Sequence, residues 1–298
     1  MRYVVLGAGA VGGVIGGNLH LAGLPVTFVA RGKHLDRIRA DGLVLDRADG
    51  RHLVRAPVAG SPAEVDWAEP AVVVLAVKSH QTTDALDDLA RHAPSGTVVL
   101  CAQNGVANEP AILRRFPWTY SLCVMLPATH LEPGVVVQKT WPVPGILDVG
   151  RFPAGVDPTC EAIATDLVAA GFVSEPRPDI MAWKHRKLLT NAVGDARTLF
   201  GEAAEQLAAE VLAEGEAVLA AAGVPVVSAA DDAVRRGELL RRRSDAAAHV
   251  GSSLAQSLTR GVATEVHYRS GEIVLLGRLH GIPTPANDRV VRAATRRE

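Results

Sequence analysis

Cysteine is scarce in this sequence, which has only Cys101, Cys123 and Cys160 among its 298 residues. An odd number of cysteines without any CxxC spacing argues against a disulfide framework and against a zinc site. We therefore expect no bound metal and a reducing compartment, the cytoplasm.

Long hydrophobic runs and an excess of charge are also missing. No apolar run approaches the roughly 18 residues of a membrane span, and the run Tyr3–Leu6 is far shorter than the core of a signal peptide. The 31 basic and 32 acidic residues leave a net charge of -1. Without a global positive field, we expect neither nucleic acid nor a membrane as partner. The sequence is compatible with a homodimer and carries no signal for or against one.

The first part of the chain has the pattern of an α/β domain. From Arg2 to about Ala170, short β-rich runs alternate with helical ones, which indicates a parallel sheet wound by helices. Four apolar runs have the continuous character of buried strands: Arg2–Leu6, Val26–Ala30, Ala71–Val77 and Val98–Cys101. We predict an N-terminal Rossmann-type dinucleotide-binding domain over residues 1–172.

The second part of the chain is rich in Ala, Leu, Glu and Arg, with helical periodicity after the turn-rich stretch 174–179. We predict an all-α C-terminal substrate and catalytic domain over residues 179–298. The candidate helices are 180–197, 201–222, 229–242, 244–258 and 264–280. The arginines between Arg235 and Arg243 alternate with acidic residues, and we interpret them as a solvated helix face.

A glycine-rich loop connects the first strand directly to a helix that runs to Leu21 and that we interpret as amphipathic. In such a G-x-G-x-x-G the glycines permit a tight turn, close approach of a pyrophosphate and close helix–strand packing. The N-terminus of the helix adds unpaired N–H groups that favour phosphate. The alternative, a glycine-rich turn without a ligand, fits this context poorly. The predicted cofactor-binding residues of the loop are Gly7, Ala8, Gly9, Ala10, Val11 and Gly12.

The end of the second strand lacks the Asp or Glu that binds the ribose hydroxyls in NAD-preferring sites. Instead the strand Val26–Ala30 is followed by Arg31, Gly32 and Lys33. Cationic donors at this place suit a 2′-phosphate, so we predict NADP(H) as the cofactor. An exposed loop arginine without a ligand is the alternative.

Two further strand ends carry polar residues. Lys78 follows the strand 71–77, and Asn104 follows the strand 98–101. Ligands bind at the carboxyl edge of open α/β sheets, so both residues are candidates for the cofactor, and Asn104 also for the substrate. For Asn104 a plain Asn-Gly turn is an equally natural interpretation.

The first predicted helix of the second domain carries a cluster of polar and basic residues. Lys187 and Asn191 lie four residues apart and share one helical face, so they can converge on one ligand. Lys184 precedes Lys187 by three residues, and helix position alone does not decide between the two lysines. A solvated charge run is the alternative.

Taken together, these residues resemble the ketopantoate reductase family over nearly the whole chain and in the same order. The resemblance rests on the glycine-rich start, Arg31, the strand end at Lys78, Gln103–Gly105, Lys187–Asn191, Ser252–Ser253, Thr264–Glu265 and the closing segment His280–Asn287. It implies a two-domain fold, NADPH and the chemistry of a small 2-oxo acid substrate.

Site roles follow from the resemblance position by position. The catalytic lysine corresponds to Lys187, which would stabilise the developing alkoxide and donate a proton. The family's glutamate corresponds to Glu265, which we place in the first turn of a helix capped by Thr264. Ser253 and Asn191 would bind the substrate through neutral donors.

The chain departs from the family pattern at two positions. Asp195 stands where reductases of ketopantoate carry an asparagine, and Ser257 where an aspartate is frequent. We assign Asp195 to substrate binding, where an ionised carboxylate would repel a substrate carboxylate; pairing with a base such as Arg197 is the alternative.

Three functions are compatible with these residues. The first is NADPH-dependent reduction of 2-dehydropantoate (ketopantoate) to pantoate, a step of pantothenate biosynthesis. The second is reduction of a different 2-oxo acid, ketone or imine with the same machinery. The third is a non-catalytic NADPH-binding regulator, which the presence of Lys187, Asn191, Ser253 and Glu265 together disfavours.

Overall fold

The computed structural model describes residues 1–130, 132–245 and 251–297. Within it the chain divides into two compact units. The sheet unit comprises Met1–Gln103, Asn108–Ile180 and the segment that starts at Arg236. The helical unit comprises Asn104–Ala107, Met181–Arg235 and the described residues from 251 onward.

The sheet unit contains all strands of the described chain and five of its α-helices. The strands are β1 (Tyr3–Leu6), β2 (Val26–Val29), β3 (Leu43–Arg47), β4 (Gly50–Val54), β5 (Val58–Ala59), β6 (Val72–Leu75), β7 (Val98–Cys101), β8 (Thr119–Met125), β9 (Ala128–Thr129), β10 (Val135–Gln138), β11 (Thr140–Pro142), β12 (Ile146–Arg151) and β13 (Leu240–Arg242). The helices are α1 (Ala10–Leu21), α2 (Gly32–Asp41), α3 (Thr82–His92), α4 (Asn108–Leu113) and α5 (Pro158–Ala169).

The main sheet has the order β12-β8-β7-β6-β1-β2-β5. All neighbours in it pair in parallel except β12, which runs antiparallel to β8. Strands β1 and β6 are buried along their whole length, as expected when helices cover both faces of a sheet. The four apolar runs are confirmed as β1, β2, β6 and β7, and the α/β fold class is confirmed with them.

Helix α1 lies between the main sheet and a smaller one of order β4-β3-β10-β9. A Cβ at Gly16 would meet Phe28 of β2 at 2.5 Å, and a Cβ at Gly13 would meet Val136 of β10 at 2.7 Å. Small residues are therefore needed on both sides of α1. The interpretation of α1 as an amphipathic helix is wrong, because residues 12–19 are all buried.

The helical unit is built from α6 (Ile180–Phe200), α7 (Glu205–Ala221), α8 (Ala229–Arg236), α9 (Ser253–Thr259), α10 (Ser270–His280) and α11 (Pro285–Thr295). Its core includes Leu188 and Leu189 of α6 and Ile273 of α10. Gly215 of α7 lets α6 approach closely, because a Cβ there would overlap the side chain of Leu189. The packing of α6 against α7 and α10 thus fixes the helix that carries the predicted catalytic lysine.

Glu214 of α7 supplies the N-terminal cap of α11. Its carboxylate accepts hydrogen bonds from the backbone N–H groups of Ala286 (2.7 Å) and Asn287 (2.9 Å) and from the Asn287 side-chain amide (2.8 Å). Helix N-termini leave such N–H groups unpaired and favour negative charge. A carboxylate on one helix therefore holds the first turn of another.

Four of the predicted helices need correction. In the helix predicted over 201–222, a 3₁₀ turn at Gly201–Ala204 precedes α7. The helix predicted over 229–242 ends at Arg236, and Leu240–Arg242 forms β13 against β11. In the helix predicted over 244–258, residues 246–250 lie outside the described part, and α9 begins only after its N-cap residue, Ser252. In the helix predicted over 264–280, a short 3₁₀ turn at Val266–Tyr268 precedes α10.

The interpretation of the arginine cluster as a solvated helix face is wrong for Arg243, whose side chain is only 5% exposed. Its guanidinium donates hydrogen bonds to the Gln138 carbonyl (2.8 Å) and to the Asp46 carboxylate (2.9 Å), and it pairs with Asp245. These contacts hold the segment after Arg236 against β3 and β10. A buried, multiply bonded arginine is a packing element here.

The described residues give two further facts relevant to the expectations on cysteine and membrane. All three cysteines are buried and none is in a disulfide, and burial raises the pKa of Cys160 to about 11. At neutral pH Cys160 is therefore a protonated thiol with little nucleophilic character. No helix in the described ranges combines the length and apolar character that crossing a bilayer requires.

Candidate active site

The glycine-rich loop of the sheet unit connects β1 to α1 and has glycine where its backbone needs it. Gly7 has φ +103°, and a Cβ there would meet the backbone nitrogen of Val77 at 2.8 Å. Gly12 packs so closely that a Cβ would overlap the Gly7 carbonyl oxygen. The loop is held to β2, because the N–H of Gly7 donates to the Val29 carbonyl at 3.1 Å.

The residues of the loop fit a dinucleotide. A Cβ built at Gly9, the N-cap residue of α1, meets nothing within 4 Å, so the backbone there is open to close approach. The first turn of α1 contains no acidic residue that would repel phosphate. A tight loop, an open Gly9 and a helix N-terminus together form the arrangement that accepts a pyrophosphate.

Arg31 is the N-cap residue of α2 and directly follows Ala30 at the end of β2. Its side chain is exposed and has no hydrogen-bond or ion-pair partner among residues 1–130, 132–245 and 251–297. The guanidinium is therefore available to an anionic ligand at the carboxyl end of β2.

A buried polar network lies at the carboxyl ends of β6 and β7. The Gln103 side-chain amide donates to the Val77 carbonyl and to the Thr82 hydroxyl, both at 2.8 Å. Thr82 in turn donates to Asn108 (2.9 Å), whose amide donates to the Ser79 hydroxyl (3.2 Å). The network fixes the backbone around Lys78, which is half-buried and begins the short 3₁₀ turn 79–81.

In the helical unit, the segment around Asn104 meets α6 and the segment that precedes α10. The Asn191 amide donates to the Asn104 side-chain oxygen at 3.2 Å. Gly105 has φ +81°, and a Cβ there would meet the Tyr268 carbonyl oxygen at 2.6 Å. Val106 is part of the core of the unit. Asn104 thus belongs to the same cluster as Asn191. It is not part of a plain Asn-Gly turn without tertiary contacts.

Asp195 follows Asn191 by one helical step and pairs with Arg269. The distance from the Asp195 carboxylate to Arg269 Nε is 2.9 Å, and the two side chains are 2% and 5% exposed. Arg197, the alternative partner, instead forms an exposed ion pair with Glu205 at 2.9 Å. The assignment of Asp195 to substrate binding stays a prediction.

Glu265 is buried, 6% exposed, and lies four residues before Arg269. Its predicted place in the first turn of a helix is wrong, because it is the N-cap residue of the 3₁₀ turn 266–268. The Thr264 hydroxyl accepts a long hydrogen bond from the Val266 N–H, at 3.4 Å. Glu265 is therefore held by a turn that is packed against Gly105.

The two serines at the start of α9 have different structural positions. Ser252 is the N-cap residue, whose hydroxyl accepts from the Ala255 N–H (3.1 Å) and is hydrogen-bonded to the Thr198 hydroxyl (3.0 Å). Ser253 is the first helical residue and is half-buried. Ser252 has a capping role, so Ser253 remains the candidate for a ligand.

Lys184 and Lys187 both lie on α6, and exposure separates them. Lys184 is buried, 3% exposed, whereas Lys187 is half-buried. Lys187 precedes Asn191 by one helical step, and Asn191 precedes Asp195 by another. One face of α6 therefore presents Lys187, Asn191 and Asp195 in succession. Asn191 contacts Asn104, and Asp195 pairs with Arg269.

Sequence reasoning missed the residues that support this cluster. Arg269 and Gln103 lie far from their partners in sequence, and the local sequence pattern around them does not predict these contacts. A signal was present in Asp195, because an acidic residue on a buried helix face requires a compensating base. The base lies outside α6, so the pattern of that helix alone could not identify Arg269.

The fold and the two groups of residues define a class. A Rossmann-type sheet unit with a dinucleotide loop, followed by a helical unit with a clustered lysine, asparagines and glutamate, is the arrangement of a dinucleotide-dependent oxidoreductase. The family model described as ketopantoate reductase PanE/ApbA matches residues 3–154, and the model of its C-terminal part matches residues 179–298. The chain belongs to the ketopantoate reductase family.

Individual relatives agree with the family assignment. A 2-dehydropantoate 2-reductase of Halobacterium salinarum is 32% identical over 96% of this chain and 95% of its own. The crystal structure of a family member from Ralstonia eutropha is 27% identical with a TM-score of 0.83, covering 100% of this chain and 99% of its own. A ternary structure of D-mandelate dehydrogenase with NADH and anilino(oxo)acetate shares the fold, at 21% identity and a TM-score of 0.85 over 100% and 98% of the two chains.

Proposed function

We propose that this chain catalyses the NADPH-dependent reduction of a 2-oxo acid to the corresponding 2-hydroxy acid, with 2-dehydropantoate as the first candidate substrate. The observation that carries the proposal is the cluster in the helical unit. Asn104 contacts Asn191 on the face of α6 that bears Lys187, and the turn that bears Glu265 packs against Gly105. Lysine, amides and a carboxylate are the groups that carbonyl reduction requires.

Each of these residues has a distinct task. The cofactor, when bound by Gly7–Gly12 and Arg31, supplies the hydride. The Lys187 ammonium stabilises the negative charge that develops on the carbonyl oxygen and donates the proton that completes the alcohol. Asn104, Asn191 and Ser253 orient the substrate through neutral hydrogen bonds, and Glu265 binds the substrate hydroxyl or the lysine.

The preference for NADPH is proposed from Arg31. NAD-preferring sites carry an acid at this strand end, whereas here β2 is followed by an exposed guanidinium that has no partner in the described part of the chain. The neighbouring Lys33 is also exposed and basic. This arrangement supports recognition of the 2′-phosphate, while the D-mandelate dehydrogenase with the same fold was solved with NADH.

We expect Arg31→Ala to weaken NADPH binding by about ten-fold to a hundred-fold, because a charge-assisted contact to phosphate contributes about 1.5–3 kcal/mol. NADH binding should change little, since NADH has no 2′-phosphate. Fluorescence titration of both cofactors measures the two dissociation constants. An equal change for both would show that Arg31 does not bind the 2′-phosphate.

The identity of the substrate is the finer part of the proposal. Asp195 occupies a position where the resemblance to ketopantoate reductases implies an asparagine, and this favours a second candidate, a reductase of a different 2-oxo acid. We expect NADPH oxidation with at least one 2-oxo acid from a panel that includes ketopantoate, pyruvate, 2-oxoisovalerate and phenylglyoxylate. The ranking of kcat/KM across the panel decides between the candidates. NADPH binding without turnover on any carbonyl would instead favour a non-catalytic regulator.

A further inference from the structure

His34 connects two parts of the sheet unit that the proposed function assigns to the cofactor. It lies in the first turn of α2, three residues after Arg31, and its ring is half-buried. Its Nε2 lies 2.8 Å from the carbonyl oxygen of Ala8, inside the glycine-rich loop. A single side chain thus joins the start of α2 to the loop.

The other ring nitrogen of His34 fixes the protonation pattern. The backbone N–H of Gly134 donates to His34 Nδ1 at 2.9 Å, so Nδ1 must carry a lone pair. Nε2 faces a carbonyl oxygen, which only accepts, so Nε2 must carry the proton. His34 is therefore the neutral Nε2–H tautomer, with both nitrogens bonded to backbone groups.

The surroundings of His34 are themselves held in place. Gly134 has φ +81°, and its carbonyl accepts from the Val44 N–H of β3 at 2.8 Å. The ring of His130 packs on His34 with centroids 4.2 Å apart, and His130 Nδ1 is hydrogen-bonded to the Val135 carbonyl at 3.1 Å. His34 is thus anchored to the smaller sheet, and through it the Ala8 carbonyl is anchored as well.

We propose that His34 is a positioning residue of the cofactor site, which holds the glycine-rich loop in its binding conformation relative to the start of α2. The inference rests on the proposed dinucleotide site. Ala8 is adjacent to Gly9, where the backbone is open to a ligand, so a shift of the Ala8 carbonyl moves the groups that face the pyrophosphate. Because NADPH and NADH share the pyrophosphate, His34 should affect both cofactors alike.

Two conservative variants separate the two bonds of His34. The amide of glutamine extends as far as Nε2, so His34→Gln retains a donor for the Ala8 carbonyl. The shorter amide of asparagine corresponds to Nδ1, so His34→Asn retains only the acceptor for the Gly134 N–H. His34→Leu removes both bonds at similar volume, and His92→Leu makes the same change on α3, where the ring lies beside Asp88.

The test measures dissociation constants of NADPH and NADH by fluorescence titration, without substrate, together with the thermal midpoint of each variant. We expect His34→Leu and His34→Asn, which both lose the hydrogen bond to the Ala8 carbonyl, to weaken the binding of both cofactors by about ten-fold. His34→Gln should remain within about three-fold of the wild type, and His92→Leu should match it. The comparison of Gln with Asn decides even where the Leu variant fails to fold.

Other outcomes contradict the inference in distinguishable ways. Equal affinities of the Gln and Asn variants would show that the bond to Ala8 has no role in binding. A loss confined to NADPH would make His34 a contact of the 2′-phosphate instead of a positioning residue. A wild-type protein that binds neither cofactor would overturn the proposed function itself, and the inference with it.

Discussion

Replacing Lys187 with alanine is expected to lower kcat/KM for the best 2-oxo acid by about a thousand-fold or more. A positioned general acid contributes about 10²–10⁴-fold, and the same ammonium also stabilises charge on the carbonyl oxygen. NADPH binding should remain within about two-fold of the wild type, because the glycine-rich loop and Arg31 belong to the sheet unit and Lys187 to the helical unit. Steady-state kinetics and cofactor titration measure the two quantities.

Lys184→Ala is the matched control, since it makes the same change three residues earlier on α6. Lys184 is buried, so we expect its truncation to lower the thermal midpoint and to change the turnover number little. We expect less than a ten-fold loss of kcat for this variant at a temperature where it is folded. Equal losses for both variants, or a larger one at Lys184, would place Lys184 at the reacting carbonyl.

The parts of the fold that could be predicted from the sequence depend on local patterns. A strand buried on both faces reads as a continuous apolar run, so β1, β2, β6 and β7 are recognisable without any tertiary information. The glycine-rich loop is equally recognisable, because the spacing of its glycines and the helix that follows them lie within Gly7–Leu21. The residues that determine such features are close together in the sequence, so the features can be predicted without the fold.

The features that could not be predicted depend on contacts between distant residues. Arg243 is buried because Asp46 and Gln138 lie beside it, and both are more than 100 positions away. Its neighbourhood in the sequence is basic and polar, which is the pattern of a solvated face. A β-strand of three residues, β13, is likewise too short for a periodicity signal.

In the candidate site, too, local spacing could be predicted and contacts between distant residues could not. Lys187, Asn191 and Asp195 follow helical spacing, so their shared face on α6 is predictable. The contact of Asn104 with Asn191 spans 87 positions, and that of Asp195 with Arg269 joins two segments that share no pattern. Spacing within a helix therefore identifies one half of each pair, and only the fold identifies the other.

The pairing of Asp195 with Arg269 leads to the second large expected effect. Asp195→Asn should lower the free energy of unfolding by about 3 kcal/mol, because it leaves the buried guanidinium of Arg269 without a counter-charge. Breaking a buried pair costs about 3–5 kcal/mol, and the amide oxygen of asparagine still directs a partial negative charge at the guanidinium, which puts the loss near the lower end. Urea denaturation of the variant and the wild type measures the difference.

The double variant Asp195→Asn with Arg269→Met tests whether the loss comes from the pair. Removing both charges together should cost less than the sum of the single changes, since neither partner is then left buried and unpaired. Glu205→Gln breaks the exposed ion pair with Arg197 and serves as the control, for which we expect a nearly unchanged thermal midpoint. Strict additivity of the two single variants would contradict a coupled pair.

Kinetics of the same variants decide whether the charge of Asp195 acts on the substrate. A carboxylate neutralised by Arg269 repels a substrate carboxylate only weakly, so Asp195→Asn should not raise kcat/KM for ketopantoate. A ten-fold rise would correspond to about 1.4 kcal/mol of transition-state stabilisation. If such a rise came without a loss of stability, Asp195 would be a determinant of substrate choice, and ketopantoate would be disfavoured as the natural substrate. A loss of stability without that rise would show that the ion pair stabilises the contact between α6 and the turn that carries Glu265. Ketopantoate would then remain the first candidate substrate.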